Sequence, residues 1–192
     1  MSGLIEHLES YLGTMAGGSQ GDETTPAGVR VGFFGPDSPF AGVMTVVTVG
    51  LWQRHLTVGG DGALHQELLM HVPNEDYPAR AAGLLFQVAG ELVGREAGLR
   101  QGQVLGPAGP VFPGSRMTAL VATNPGYLPE SFAVCRAEAV PIVLTLLVPV
   151  TTREADLVRS RGLPALTHLF AAQDPDLTNP NRPEVGLVPP AD

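Results

Sequence analysis

The sequence predicts a single α+β domain built on a mixed, mostly antiparallel β-sheet with helices packed on it. Three observations lead to this prediction. The chain has 192 residues, of which 44% are hydrophobic, and this is the size and apolar content of one domain with a substantial core. Strand-like and helix-like segments alternate irregularly, without regular βαβ units. The 24 Gly and 18 Pro residues include turn signals between neighbouring apolar segments, which favours antiparallel pairing.

Residues 1–28 are predicted to form a short N-terminal helix followed by a flexible linker. Ser2 can cap this helix, Leu4, Leu8 and Leu12 lie on one stripe of it, and Gly13 suits its end. Residues 17–28 (GGSQGDETTPAG) have the composition of a flexible linker. A linker of this kind lets the helix pack either on its own domain or on another chain.

Three strands are predicted in the first half of the domain, over residues 29–34, 43–51 and 64–72. The second (VMTVVTVGL) is apolar and β-branched throughout, which predicts burial on both faces. A turn at 59–62 (GGDG) joins it to the third (LHQELLMHV) as a hairpin. In the third strand Leu64, Leu68, Met70 and Val72 share one face, and the other face, predicted to be solvated, carries His65, Glu67, Leu69 and His71.

The second half is predicted to begin with the longest helix, over residues 79–96, followed by a Gly- and Pro-rich ordered loop at 102–114. Residues 117–123 and 142–148 are the next strands. Thr151 and Glu154 then form a capping box that starts a helix running to about Arg161. After Gly162 a further helix follows, and residues 182–192 form an irregular tail. The proposed domain proper therefore spans residues 29–181.

Charge and cysteine content narrow the possible partners and the compartment. Eleven basic residues, all Arg, face 19 acidic ones, so the net charge is −8. This charge argues against nucleic acid and anionic membrane surfaces as partners, and it favours a basic partner or simply solubility. The lone Cys135 cannot form an intramolecular disulfide, and the N-terminus lacks the basic region of a signal peptide. We expect a cytoplasmic protein without a membrane helix.

One group of residues suggests a metal-dependent enzyme or a metalloprotein as the alternative function. His65 and Glu67 share a strand face, and His55 lies across the hairpin from them; imidazole and carboxylate groups suit zinc. Residues spaced i, i+2 and i+6 along a strand spread over about 20 Å, however. His65 and His71 therefore cannot share one metal without a bulge, and a metal site is the less favoured interpretation.

No other local pattern indicates catalysis. The sequence contains no P-loop, no GxGxxG dinucleotide motif, no GxSxG elbow and no HExxH motif. Cys135 stands in an apolar segment, where a cysteine is a core residue more often than a nucleophile. We therefore assign no catalytic, metal or cofactor-binding residue and expect no cofactor.

Three segments in order give the sequence a family resemblance. They are 45–51 (TVVTVGL), 67–73 (ELLMHVP) and 146–154 (LLVPVTTRE), and their order and spacing resemble the Suppressor of fused-like domain over residues 29–181. In that family a T-x-G strand leads to an E-L-x-x-x-x-P strand, and a later V-P-[IV]-T-x-x-E segment precedes a helix. These motifs have structural roles, so no partner-binding residue is carried over from them.

The resemblance implies a non-catalytic protein-binding module. Animal members hold Gli-type transcription factors through a two-domain clamp, and this chain is too short for the second domain. It is similar instead to bacterial single-domain members, many of which resemble immunity proteins that neutralise a cognate toxin. The implied partner is a basic toxin domain. A scaffold with a constitutive partner is a further alternative that the sequence leaves open.

Overall fold

The computed structural model describes residues 3–36, 38–59 and 62–186. Its four helices are α1 (Gly3–Leu12), α2 (Pro78–Arg95), α3 (Thr152–Arg161) and α4 (Leu163–Gln173). Its strands are β1 (Met15–Ser19), β2 (Arg30–Phe34), β3 (Val43–Val49), β4 (Gln66–Pro73), β5 (Val104–Leu105), β6 (Ala119–Thr123), β7 (Val134–Cys135) and β8 (Ile142–Val150). Within these residues, no helix is both long and apolar enough to cross a bilayer.

The strands form one mixed sheet in the order β1-β2-β3-β4-β8-β6-β5, and β7 also pairs with β8. β4 and β8 run parallel to each other, whereas every other neighbouring pair is antiparallel. The prediction of an α+β fold with a mixed, mostly antiparallel sheet is confirmed. The predicted hairpin is the β3–β4 pair; Gly60 and Asp61 of its turn lie outside the described residues, as does Ser2.

Helices cover both faces of the sheet, so its central strands are buried on each side. On one face α2 packs its Leu85 and Ala89 into a cluster with Leu68 and Met70 of β4. On the other face α1, α3 and α4 join a cluster with alternate residues of β8: Ile142, Leu144, Leu146, Val148 and Val150. This double cover explains the near-continuous apolar sequences of β3 and β8.

The N-terminal segment differs from the predicted flexible linker. α1 packs on its own domain, where Leu4, Leu8 and Leu12 are fully buried. The first residues of the predicted linker belong to β1, which pairs antiparallel with β2. Gly18 permits this close pairing, because a Cβ atom there would lie 2.8 Å from the carbonyl oxygen of Val31. Glycine here allows close contact between strands, whereas composition alone indicated flexibility.

Two further predictions are wrong: one face of β4 was predicted to be solvated, and residues 102–114 were predicted to form only a loop. The face of β4 predicted to be solvated is buried: Glu67 is 0% and His71 is 6% exposed. β4 lies between β3 and β8; α2 packs on one of its faces, and Leu69 on the other face joins the cluster with α1, α3 and α4. The predicted loop over 102–114 contains β5, which pairs with β6.

Residues 182–186 of the predicted tail lie outside helices and strands, and they are anchored on the core. Arg182 is 2% exposed, and its guanidinium nitrogens donate to both carboxylate oxygens of Glu154 at 2.7 Å. Val185 is buried and its backbone N–H donates to Glu154. The division into residues 1–28, 29–181 and 182–192 stays a prediction, and residues 187–192 lie outside the described part of the chain.

Gly50→Ala is expected to lower the free energy of unfolding by about 2–3 kcal/mol. Gly50 has a φ of +103°, and a Cβ atom there would lie 2.4 Å from the carbonyl oxygen of Gly28. Urea denaturation measures the change, with Gly94→Ala as control, because nothing lies within 4 Å of a Cβ at that helical position. An unchanged midpoint for Gly50→Ala would contradict the described turn.

Candidate binding groove

Glu67 has a structural role that uses its carboxyl group fully. Its oxygens accept hydrogen bonds from the Thr48 hydroxyl, from the Gly50 N–H at 2.6 Å and from the Trp52 N–H at 3.3 Å. Burial raises the pKa of Glu67 to about 8, against the opposing effect of these bonds. The carboxyl group thus ties the turn that follows β3 to β4, and explains why the T-x-G and E-L motifs occur together.

The metal site considered from the sequence is not assembled in the structure. His65 donates from Nδ1 to the Trp52 carbonyl oxygen at 2.9 Å, and His55 is exposed. Across residues 3–36, 38–59 and 62–186, no three His, Cys, Asp or Glu side chains are grouped to hold a metal ion. With Glu67 engaged by Thr48, Gly50 and Trp52, the His55, His65 and Glu67 hypothesis loses its geometric basis.

Cys135 is a core residue of β7. Its side chain is fully buried in the apolar cluster that also contains the α1 leucines, and burial raises the pKa of its thiol. A raised pKa keeps the thiol protonated, which is the opposite of what a nucleophilic cysteine requires.

His71 stands at the centre of an aromatic triad on the sheet face that α1 and α4 flank. Its ring centroid lies 5.6 Å from that of Phe40 and 5.3 Å from that of Tyr127, and these two rings are 5.4 Å apart. Thr45, on the neighbouring strand, places its hydroxyl 2.8 Å from Nδ1 of His71. The three rings come from β4 and from two turns that are distant in sequence.

This triad lines a cavity that we call the histidine pocket, of about 280 Å³. Leu146, Leu147 and Val148 of β8 form its floor, and residues 174–178, which follow α4, form a further wall. The exposed side chains of Asp174 and Asp176 place negative charge on that wall. The pocket therefore combines aromatic, aliphatic and acidic surfaces.

A second cavity, of about 630 Å³, lies beside α4 and shares Tyr127 with the histidine pocket; we call it the α4 pocket. Leu163, Leu166 and Phe170 of α4 line it, opposite Val121 and Val148 of the sheet. The two cavities adjoin each other, because Leu146, Val148 and Leu177 line both as well, and we call the pair the binding groove. Such an apolar groove with a few polar groups is typical of a recognition surface.

Nε2 of His71 is buried and has no hydrogen-bond partner among the described residues. Burial also lowers the pKa of His71 to about 4, so the imidazole is neutral at pH 7. A neutral ring surrounded by aromatic groups offers one polar atom to a ligand without adding charge to the groove.

His71 is expected to make the free energy of unfolding increase with pH between about pH 4 and pH 6.5. The pKa of His71 falls from 6.5 to about 4 on folding, so the unfolded chain binds more protons in this range. The slope is at most about 1.4 kcal/mol per pH unit. Urea denaturation of the native chain and of His71→Phe at several pH values measures the contribution of His71 as the difference between their free energies of unfolding. Parallel curves would contradict the buried, neutral imidazole.

Sequence reasoning identified His71 as part of a strand face but missed the groove. Phe40 follows a Pro-containing turn, Tyr127 follows Asn-Pro-Gly, and the two Asp residues follow a helix. The sequence signal that could have indicated the groove is the presence of aromatic residues in turns between apolar strands. Only the sheet order brings these segments together.

Comparison with known proteins identifies the family of this fold. The sequence model of the Suppressor of fused protein family (SUFU) matches residues 25–183. The chain belongs to the Suppressor of fused family. Comparison with curated proteins gives no match. The three motif segments named from the sequence lie inside the matched range, and two of them supply Thr48, Gly50 and Glu67.

Solved Suppressor of fused structures share this fold. A homolog from Neisseria gonorrhoeae FA 1090 matches with a TM-score of 0.76 and 16% identity over 97% of each chain. A chain of the Sufu–Fu complex matches with a TM-score of 0.69 and 13% identity over 95% of this chain and 90% of that one. Drosophila Suppressor of Fused matches with a TM-score of 0.68 and 14% identity over 95% of this chain and 50% of its own length. At these identities the likeness establishes the fold.

Proposed function

We propose that this chain is a non-catalytic protein-binding module that uses the binding groove. Membership of the Suppressor of fused family supports such a module, and one matched relative is a Sufu protein in complex with Fu. The observation that carries the proposal is the groove itself, an apolar depression on a rigid sheet with a buried, unpartnered imidazole nitrogen. A surface of this kind suits an inserted segment of another protein.

We propose that the partner is a basic protein. More specifically, we propose that it is a toxin domain, which the chain neutralises in the cytoplasm. The net charge of −8 and the carboxylates of Asp174 and Asp176 at the groove favour a positively charged surface. Electrostatic attraction of this sort speeds encounter and selects against acidic partners. Single-domain family members of the immunity type would act in this way.

The immunity role is tested by growth. The tagged chain is used to capture its partner from the native host, and the partner is then expressed alone and together with the chain. We expect the partner alone to arrest growth and co-expression to restore it. A captured partner that is harmless on its own overturns the immunity role, while the binding module stands.

Association with a basic partner is expected to slow with salt. We expect the association rate constant to fall by about tenfold between roughly 0.02 and 0.5 M NaCl, because salt screens the attraction that steers encounter. Stopped-flow fluorescence of Trp52, in the turn after β3, or biolayer interferometry measures the rate. A rate independent of salt would contradict a basic partner.

A further inference from the structure

His71 carries an unpartnered buried nitrogen at the histidine pocket. Nε2 is the one buried side-chain nitrogen or oxygen without a hydrogen-bond partner in the described part of the chain. Buried polar atoms are almost always paired, because an unpaired one costs free energy. His71 is 6% exposed and lines the histidine pocket, so a ligand in that pocket can supply the partner of Nε2.

The other walls of the pocket select a cation. Phe40 and Tyr127 line the pocket, and aromatic rings attract positive charge at their faces, whereas the carboxylates of Asp174 and Asp176 repel an anion. His71 is neutral, so it does not oppose a cation. When its Nδ1–H donates to the Thr45 hydroxyl, Nε2 keeps its lone pair and accepts a hydrogen bond from the ligand.

The size of the pocket favours a single side chain. Its volume of about 280 Å³ is just below the range of about 300–1,000 Å³ in which small-molecule ligands are held. The adjoining α4 pocket continues the groove with apolar walls. A chain segment with one cationic and one neighbouring apolar residue fits both.

We propose that the histidine pocket binds an arginine side chain of the protein partner. The planar guanidinium group stacks on the ring of Tyr127 or Phe40 and donates to Nε2 of His71 and to the carboxylates of Asp174 and Asp176. Arginine combines these contacts because its donors form a rigid fork and its plane stacks on rings, whereas an ammonium group is a compact point charge. An apolar neighbour of the arginine occupies the α4 pocket.

Tyr127 is the movable wall in this arrangement. The ring of Tyr127 lies 5.3 Å from that of His71, whose Nε2 is buried, and Tyr127 is itself 46% exposed. The incoming guanidinium displaces the tyrosine ring and then packs against it. This proposal rests on the proposed binding function and names the chemistry that the groove recognises.

The test uses a small probe, so it does not depend on a captured partner. Nα-acetyl-arginine methylamide is titrated into the ¹⁵N-labelled full chain, and the His71 imidazole resonances, identified by their absence in His71→Phe, are followed by NMR. We expect a saturable shift of the Nε2 resonance with a dissociation constant on the order of millimolar. The citrulline analogue, which is nearly isosteric but neutral, is expected to give no saturable shift.

A matched pair of double variants separates the pocket from the net charge. Asp174→Asn with Asp176→Asn removes two charges from the pocket while keeping side chains suited to the same turns. Glu23→Gln with Glu91→Gln removes two exposed charges elsewhere. We expect the first pair to weaken probe binding at least about tenfold and the second to change it less than about twofold.

Three outcomes would overturn the proposal. The first is the absence of a saturable shift up to roughly 50 mM arginine probe, which is well above the expected dissociation constant. The second is binding of the citrulline analogue as tight as that of the arginine probe. The third is an equal loss of probe binding in both double variants. Equal binding of the lysine analogue would overturn the preference for arginine. If the probe fails while a captured partner still depends on the groove, the binding function stands and the arginine proposal falls.

Discussion

Arg182→Ala is expected to lower the free energy of unfolding by about 3–5 kcal/mol, because it leaves the Glu154 carboxylate buried without its counter-charge. The pair is 2% and 1% exposed, with both nitrogens 2.7 Å from carboxylate oxygens. Arg182 also donates to the Pro149 carbonyl oxygen and lies over the ring of Phe170. The same side chain thus joins the C-terminal segment to β8, α3 and α4.

Urea denaturation at pH 7 measures this effect, with Arg95→Ala as the matched control. Arg95 pairs with Glu91 at 3.8 Å on the exposed side of α2, and its side chain is 71% exposed. Exposed pairs contribute about 0–1 kcal/mol, so the control is expected to change little. Equal losses for Arg182→Ala and Arg95→Ala would show that the buried pair does not anchor the C-terminal segment.

Glu67→Leu is expected to lower the free energy of unfolding by about 3–5 kcal/mol, because it leaves two backbone N–H groups and the Thr48 hydroxyl without their acceptor. The volume of the side chain is nearly kept, so the loss reports hydrogen bonding and not a cavity. Glu67→Gln keeps one acceptor oxygen and is expected to cost less at pH 7. If Glu67→Leu is as stable as the native chain, the carboxyl group does not hold the turn after β3.

The pH dependence of the same site gives an independent check. Burial raises the pKa of Glu67 from 4.5 to about 8, so the folded chain binds more protons than the unfolded chain between these values. The contribution of Glu67 to stability is therefore full below about pH 4.5 and declines as the pH rises towards 8. We expect the difference between the native chain and Glu67→Gln to shrink over this range, and a constant difference would contradict the raised pKa.

Local patterns predicted most of the elements because each carries its own physical signal. The capping box of Thr151 and Glu154 is present as predicted, with the Thr151 hydroxyl accepting from the Glu154 N–H and the Glu154 carboxylate accepting from the Thr151 N–H. β3 and β8 follow their β-branched apolar runs. Such signals depend on neighbours in sequence, so no knowledge of the fold is needed to use them.

The groove and the buried ion pair could not be predicted in the same way, because they depend on the sheet order. Arg182 stands 28 residues after Glu154, in a segment whose Pro and Asn content indicated an irregular tail. His71 packs against the rings of Phe40 and Tyr127, which come from turns distant in sequence, and local periodicity does not specify such contacts. The sequence pattern placed His71 on a face, and only the tertiary arrangement showed what that face contacts.

The most direct test of the binding function compares two variants that add the same charge at different exposed apolar sites. Tyr127, in the groove, is 46% exposed, and Met15, on the edge strand β1, is 40% exposed. Each is replaced by Arg, and each tagged variant is used for capture from the native host beside the native chain. We predict that the native chain and Met15→Arg retain a stoichiometric partner, and that Tyr127→Arg loses at least about nine-tenths of it, a tenfold weakening. Equal retention by Tyr127→Arg, with both variants folded, would contradict the groove as the binding site.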